Sequence, residues 1–286
     1  MLLFRVFRQR FAYNPVLQMK SRAYDLLERV RQQKPVIHHL TNWVTIYDCA
    51  QVLKTLGASP VMAHAKEEAG EMVQIASALV LNIGTLTIDF VEAMKIAAAS
   101  ANKRVIPVIL DVCGAGATRL RDRKCEELLG AAMIDVIKGN CSEIARVGGE
   151  NVTTRGVDAT KVGGDLVLLT QKLARQRDAT VVATGEVDIV TDGKRTYLVK
   201  NGHQMMTRVV GTGCMATSVI GAFTAVEPDL SLAAACALAC YGIAAELAAE
   251  KAAGPASFKD GLFDCLYNLD RETVDKMQRI EVISSS

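Results

Sequence analysis

Aromatic residues make up only 5% of the 286-residue chain, with a single tryptophan. That scarcity argues against the stacked aromatic platforms that hold single-stranded nucleic acid. Charge of one sign is equally scarce in excess, since the formal net charge is +2. Nucleic acid and anionic membrane are therefore not expected as partners. No CxxC pair occurs among the eight cysteines, which excludes a zinc ribbon or a thioredoxin-type centre. Scattered cysteines in a chain of this size point to a reducing compartment. No GxxxxGK[ST] segment occurs, so any use of ATP is not through a P-loop. Gly114 and Gly116 fail the GxGxxG spacing, because Arg119 stands at the third position. The run LAAACALACYGIAA is read as too short to span a membrane and as part of a buried helix, with Cys236 and Cys240 as small fillers.

The first twenty residues lack acids altogether; Asp25 is the first, after Arg5, Arg8, Arg10, Lys20 and Arg22. This is the composition of a mitochondrial transit peptide, with an upstream extension before a start at Met19 and an ordinary basic arm as the alternatives. Residues 1–20 are set apart as a basic extension, and residues 21–286 are expected to form one domain. The expected compartment is the cytoplasm, with the mitochondrion as the alternative.

What is present is a regular alternation. Short β-branched runs at 34–40, 59–63, 78–84, 104–112, 135–139 and 179–185 predict strands, followed by a pair at 187–192 and 195–200 turning at Asp192-Gly193. Amphipathic or apolar stretches between them predict helices at 21–33, 43–56, 66–76, 87–101, 119–131, 141–148, 163–177, 213–225, 230–251 and 256–277. The pattern predicts an α/β fold with a largely parallel sheet covered on both faces. Ligands of such sheets bind at the carboxyl ends of the strands.

Three strand ends carry chemistry-bearing residues. Asp111 ends a buried run before the glycine turn DVCGAGAT, placed either to help hold a hydrated Mg²⁺ or to cap its own turn. In KGNCSEIA, Asn140 and Glu143 have capping-box spacing, while Glu143 could also join Asp111 at a magnesium–phosphate cluster. Lys138 would add positive charge toward phosphate. In VVGTGC, Gly211 and Gly213 precede an apolar helix. Their turn, with Thr212 and Cys214, offers backbone N–H groups to a transferring phosphoryl group, or is only a tight turn. A helix start also lowers a thiol pKa, which concerns Cys214.

Together with LTNWV (40–44), LGASPVMAHAKEE (56–68), ALVLNIGTL (78–86) and ATGEVDIVTDG (183–193), these stretches resemble hydroxyethylthiazole kinase, a ribokinase-like family of thiamine salvage. The resemblance runs from about Tyr24 onward. It implies phosphorylation of the hydroxyl of 4-methyl-5-(2-hydroxyethyl)thiazole by Mg·ATP, in a homotrimer whose pockets are shared between subunits. It implies that Asp111 and Glu143 lie on the magnesium side, that Lys138, Thr184 and Gly213 bind ATP, and that Asn42, Met62 and Gly211 line the substrate pocket. Cys214 then stands where most ribokinase-like enzymes carry a catalytic aspartate. The chain departs from the family pattern at His39 (usually Asn), Val112 (Pro), Cys113 (Val) and Lys138 (commonly Arg). Val112 is expected to loosen the Asp111 loop, and His39 to alter the pocket rim. The rival readings are a hydroxymethylpyrimidine or pyridoxal kinase, an ATP-dependent NAD(P)-hydrate dehydratase of the same fold, and a non-catalytic thiamine-pathway sensor.

Overall fold

The computed structural model describes residues 15–150 and 163–284. Six parallel strands follow the apolar runs: β1 (Val36–Leu40), β2 (Ser59–Val61), β3 (Ala78–Asn82), β4 (Val108–Asp111), β5 (Val136–Asn140) and β6 (Thr180–Thr184). Three antiparallel strands, β7 (Asp188–Thr191), β8 (Arg195–Val199) and β9 (Ile280–Ser284), extend the sheet at one side. The spatial order is β2-β1-β3-β4-β5-β6-β7-β8-β9. Every residue of β3 is buried, as a central strand covered on both faces requires.

The pleat sorts the side chains into two cores. On one face Ile37, Val80, Ile109, Val136 and Val182 meet α1 (Pro15–Gln33), α2 (Ile46–Leu56), α8 (Thr212–Thr224), α9 (Leu230–Lys251) and α10 (Pro255–Tyr267). On the other, Leu79, Leu81, Leu110, Ile137 and Val181 meet α4 (Ile88–Arg104), α5 (Arg119–Ala131) and α7 (Gly163–Arg177). The remaining helices are short: α3 (Ala69–Met72), α6 (Cys141–Val147) and α11 (Arg271–Met277). Helix starts follow local chemistry. Thr87, Thr118 and Asp229 each accept an N–H of the first turn of α4, α5 and α9.

Six expectations are corrected. The expected helix 256–277 breaks at Asn268, because Asp270 accepts the Thr273 N–H and starts α11 afresh. The sheet gains β9, which covers the edge of β8. The run 66–76 holds only α3 and a 3-10 turn, Val73–Ile75. Strand β4 begins at Val108 rather than Arg104, because α4 runs on to Arg104 and ends at a left-handed Val105 (φ 59°). Finally, α9 is long and apolar enough to cross a membrane by length and composition. Its burial against α8, α1 and α10 makes it a core helix. Cys236 and Cys240 are fully buried within it, as expected of fillers. Helix α1 begins at Pro15, six residues before the expected start; residues 1–14 of the basic extension lie outside the described residues.

Candidate active site

Strand register builds the site. Asn82 pairs with Asp111, and Asp111 with Lys138, so three polar side chains stand in one row at the carboxyl end of the sheet. Their parity matches Val80, Ile109 and Val136, which places them on the face covered by α8. Lys138 Nζ donates to Asp111 Oδ2 at 3.2 Å and to the Gly213 carbonyl at 3.0 Å. Thr217, one turn into α8, donates its hydroxyl to the same Asp111 oxygen at 2.6 Å. Burial would push the Lys138 ammonium down, but the carboxylates of Asp111 and Glu143 outweigh it and hold the group charged. Asp111 Oδ1 is buried without a partner among the described residues. An unpartnered carboxylate oxygen in a buried position calls for a cation or water.

Glu143 lies beside this row. Its two oxygens accept the backbone N–H of Gly114 and of Asn140, both at 2.7 Å, and Asn140 returns the bond to complete a capping box. The structural reading of KGNCSE therefore holds. The same carboxylate also ties the glycine loop after β4 to the start of α6. Burial, and then the Asp111 charge, raise its pKa, partly offset by the two N–H donors.

The donor set suits a hydrated Mg²⁺ rather than a resident soft metal. It offers two oxygen carboxylates, one with a free buried oxygen. Among the described residues no three His, Cys, Asp or Glu side chains form a metal cage.

Cys214 is the third residue of α8. Gly211 caps this helix with φ +92°, and a Cβ there would lie 2.6 Å from Thr45 Cγ2, so a tight approach and a left-handed backbone both require glycine. Two side-chain amides converge on the sulfur: Asn42 Nδ2 at 3.2 Å and Asn82 Nδ2 at 3.3 Å. Asn42 is itself held, because the Thr45 N–H and hydroxyl donate to its Oδ1 at 3.2 and 3.1 Å. The Cys113 thiol, and then the Lys138 charge, lower the Cys214 pKa against the opposing effects of burial and of Asp111; Cys113 moves the other way.

Asp111, Lys138, Gly213, Cys214 and Asn42 are thus brought into one bonded cluster, with Gly211 at its helix cap. Thr184 ends β6 in register with Asn140 and donates to the Gly139 carbonyl at 3.3 Å, one strand further along. Met62 follows β2 at the outer edge of the sheet and is half-buried. Its neighbour His64 is exposed and meets the Trp43 ring edge-on at 4.5 Å. His203 caps a 3-10 turn, Gln204–Arg208.

Two departures behave differently from expectation. His39 does not reach a pocket rim: it is wholly buried under α8, 3.2 Å from Ser218 Oγ. Val112 tightens the loop instead of loosening it, because its N–H donates to the Lys138 carbonyl at 2.8 Å. A proline there has no N–H to give.

Asn82, Thr217 and Thr45 were not singled out from the sequence. The signal for Asn82 was available in a polar residue closing the buried run ALVL. Thr217 and Thr45 read as ordinary helix residues until the fold sets them against Asp111 and Asn42.

Comparison with known proteins agrees with this geometry. A family model described as "Hydroxyethylthiazole kinase family" matches residues 27–272. A relative named hydroxyethylthiazole kinase, from Methanosarcina mazei, is 51% identical over 255 residues, covering 89% of this chain and 98% of the relative. The solved structure of a hydroxyethylthiazole kinase protein from Pyrococcus horikoshii superposes with a TM-score of 0.85 at 40% identity, covering 92% of this chain and 99% of that one. A pyridoxal kinase from Staphylococcus aureus, solved with AMP-PCP, has a TM-score of 0.62 at 13% identity, covering 88% and 99%; it shares the ribokinase-like fold alone.

Proposed function

The chain belongs to the hydroxyethylthiazole kinase family, and from that premise we propose that it transfers the γ-phosphoryl group of ATP to the hydroxyl of 4-methyl-5-(2-hydroxyethyl)thiazole. The observation that carries the reading is Cys214. Its sulfur sits at the amino end of α8, held by two amides and next to the Asp111–Lys138 pair.

In this reading the alcohol oxygen attacks the γ-phosphorus and the bond to the β-phosphate oxygen breaks, releasing ADP. The alcohol proton passes to Cys214 sulfur late in the transfer. The Asn42 and Asn82 amides hold that sulfur in place, and Asn42 and Gly211 border the substrate. The backbone N–H groups at Thr212 and Gly213 face the charge that builds on the transferring group. Lys138 bonds the Asp111 carboxylate and anchors the helix start through the Gly213 carbonyl, so its role toward ATP is one of positioning as much as of direct charge. Thr184 contributes to the nucleotide side. Mg²⁺, when bound with ATP, would neutralise phosphate charge, with Asp111 and Glu143 holding it and its waters.

Met62 follows the edge strand β2, with β1 and β3 between that strand and β4. That separation favours a homotrimer in which the site is completed by a neighbouring subunit. Residues 21–286 act as one kinase domain in this reading. The cytoplasm is the proposed compartment. The transit-peptide reading of residues 1–20 finds no support in relatives that are archaeal and bacterial.

Product identification tests the proposal. Purified protein with Mg²⁺, ATP and the thiazole alcohol should yield a phosphomonoester of that alcohol by ³¹P NMR and mass spectrometry. Phosphorylation of pyridoxal or hydroxymethylpyrimidine, with none of the thiazole, would overturn it in favour of a neighbouring specificity.

A further inference from the structure

The two carboxylates of the site are bonded in different ways. Glu143 accepts one N–H on each oxygen, from Gly114 and from Asn140, both at 2.7 Å. Asp111 takes both its donors on a single oxygen. Lys138 Nζ reaches Oδ2 at 3.2 Å and the Thr217 hydroxyl reaches the same oxygen at 2.6 Å, while Oδ1 is buried without a partner among the described residues. A threonine inside a helix ordinarily gives its hydroxyl proton to the carbonyl one turn back. For Thr217 that carbonyl is Gly213, 3.2 Å away, and Lys138 Nζ already donates to it at 3.0 Å. The hydroxyl has one proton to give, and Asp111 Oδ2 is the nearer acceptor. Thr217 and Asp111 are both buried, so bulk water does not compete for the bond.

We propose that Thr217 is a positioning residue for the divalent cation: its hydroxyl pins Oδ2 of Asp111, so that Oδ1 is kept for the ion or one of its waters. The torsion that turns a carboxylate is broad and two-fold, so a free aspartate exchanges its two oxygens readily. A donor fixed on one oxygen ends that equivalence. Lys138 alone does this poorly, because an ammonium on a four-carbon stem has rotatable donors and follows either oxygen. The Thr217 hydroxyl sits on a short stem rising from α8, one turn from Gly213. The bond also ties the carboxylate to the helix whose first turn holds Gly213 and Cys214, so the ion and the transferring group are referred to one rigid element. Hydrogen bonds of this kind to a ligating carboxylate commonly contribute about 10–100-fold to metal affinity. The part the ion plays in catalysis rests on the function proposed above; its retention through Thr217 does not.

The test is Mn²⁺ binding by the full-length protein in the presence of AMP-PCP, followed by water-proton relaxation against a blank without protein. Thr217→Val keeps the shape of the side chain and loses the hydroxyl; it should weaken Mn²⁺ binding by about 10-fold or more. Thr217→Ser keeps the hydroxyl and should bind as the parent does. In thiazole phosphorylation by Thr217→Val, the Mg²⁺ concentration for half-maximal rate should rise by a similar factor. KM for the thiazole alcohol should stay within a few-fold of the parent, and excess Mg²⁺ should restore most of the turnover. A role in packing alone would not be rescued by Mg²⁺. If Thr217→Val does not fold, Thr217→Ala carries the same predictions. Equal or tighter Mn²⁺ binding in the variant without the hydroxyl, or no Mn²⁺ held by the parent, would overturn the proposal. Mn²⁺ binding needs no acceptor alcohol. A protein that holds the ion through Thr217 but ignores the thiazole would therefore fail the proposed function and keep this inference.

Discussion

Cys214 receives amide N–H groups from Asn42 and Asn82, an arrangement that favours a sulfur carrying negative charge. A thiol so placed gives up its proton more readily than a free one, so more of it is present as the thiolate that can act as base, but bound triphosphate would oppose the effect by repulsion. In the proposed mechanism Cys214 is therefore a moderate base, and its removal is expected to slow chemistry more than binding. Steady-state kinetics of Cys214→Ala should show kcat reduced about 10²-fold, with KM for the thiazole alcohol changed only a few-fold. Cys214→Asp should recover much of the loss; unchanged kcat in the alanine variant would remove the thiol from the mechanism. His39 has a different consequence. Burial, and then the neighbouring His38, hold its pKa down to about 3, against an ordinary value near 6.5. Between those limits the unfolded chain binds a proton that the folded chain does not. Stability should therefore fall as pH drops from about 6.5 toward 3, by about 1.4 kcal/mol per unit from this group. Urea unfolding at stepped pH should give a shallower acid limb for His39→Asn than for the parent; equal slopes would show that the imidazole is not what titrates.

The functional elements are the carboxyl ends of β3, β4 and β5 and the amino end of α8, and here local conformation decides. Gly211 takes a left-handed backbone with Thr45 against it, whereas Gly130 in α5 has open space around the position of a Cβ. Gly211→Ala should destabilise by about 1–2 kcal/mol from backbone strain alone, and lower turnover by tilting α8. Gly130→Ala should stabilise by about 0.5–1 kcal/mol and leave turnover alone. Paired thermal and kinetic measurements check both; equal effects would mean the cap geometry is unimportant. The same elements show what the sequence discloses. Apolar runs located all six parallel strands, and the Asn140–Glu143 spacing correctly announced a capping box. Strand β9 escaped because five residues near the chain end carry too little periodicity, and its pairing with β8 is a long-range choice. The break between α10 and α11 escaped because Asp270 reads as an ordinary surface acid until it caps. Within the site, Asp111 and Lys138 were legible as strand ends. Their bond to each other, and both to α8, depends on register and parity that no single stretch encodes.

At the scale of the whole molecule, the proposed homotrimer bears on the apolar surface beside the site. Met62 follows the edge strand β2, and the exposed Trp43 (48% exposed), Val44 (67%) and Tyr47 (74%) lie between Asn42 and the first turn of α2. Apolar surface of this kind is commonly covered by another subunit. Light scattering coupled to size exclusion should give three times the mass of the chain, and Tyr47→Glu should lower both that mass and the thiazole turnover; a fully active monomer would show the site complete in one chain. The central claim is narrower: this site moves phosphate from ATP to a thiazole alcohol. The most direct measurement is ADP release by the purified protein with Mg²⁺ and ATP, with and without 4-methyl-5-(2-hydroxyethyl)thiazole, and with pyridoxal and hydroxymethylpyrimidine as alternative acceptors. ADP release that depends on the thiazole and exceeds that with the other alcohols is the predicted result. Release that ignores the thiazole, or follows another acceptor, would contradict it.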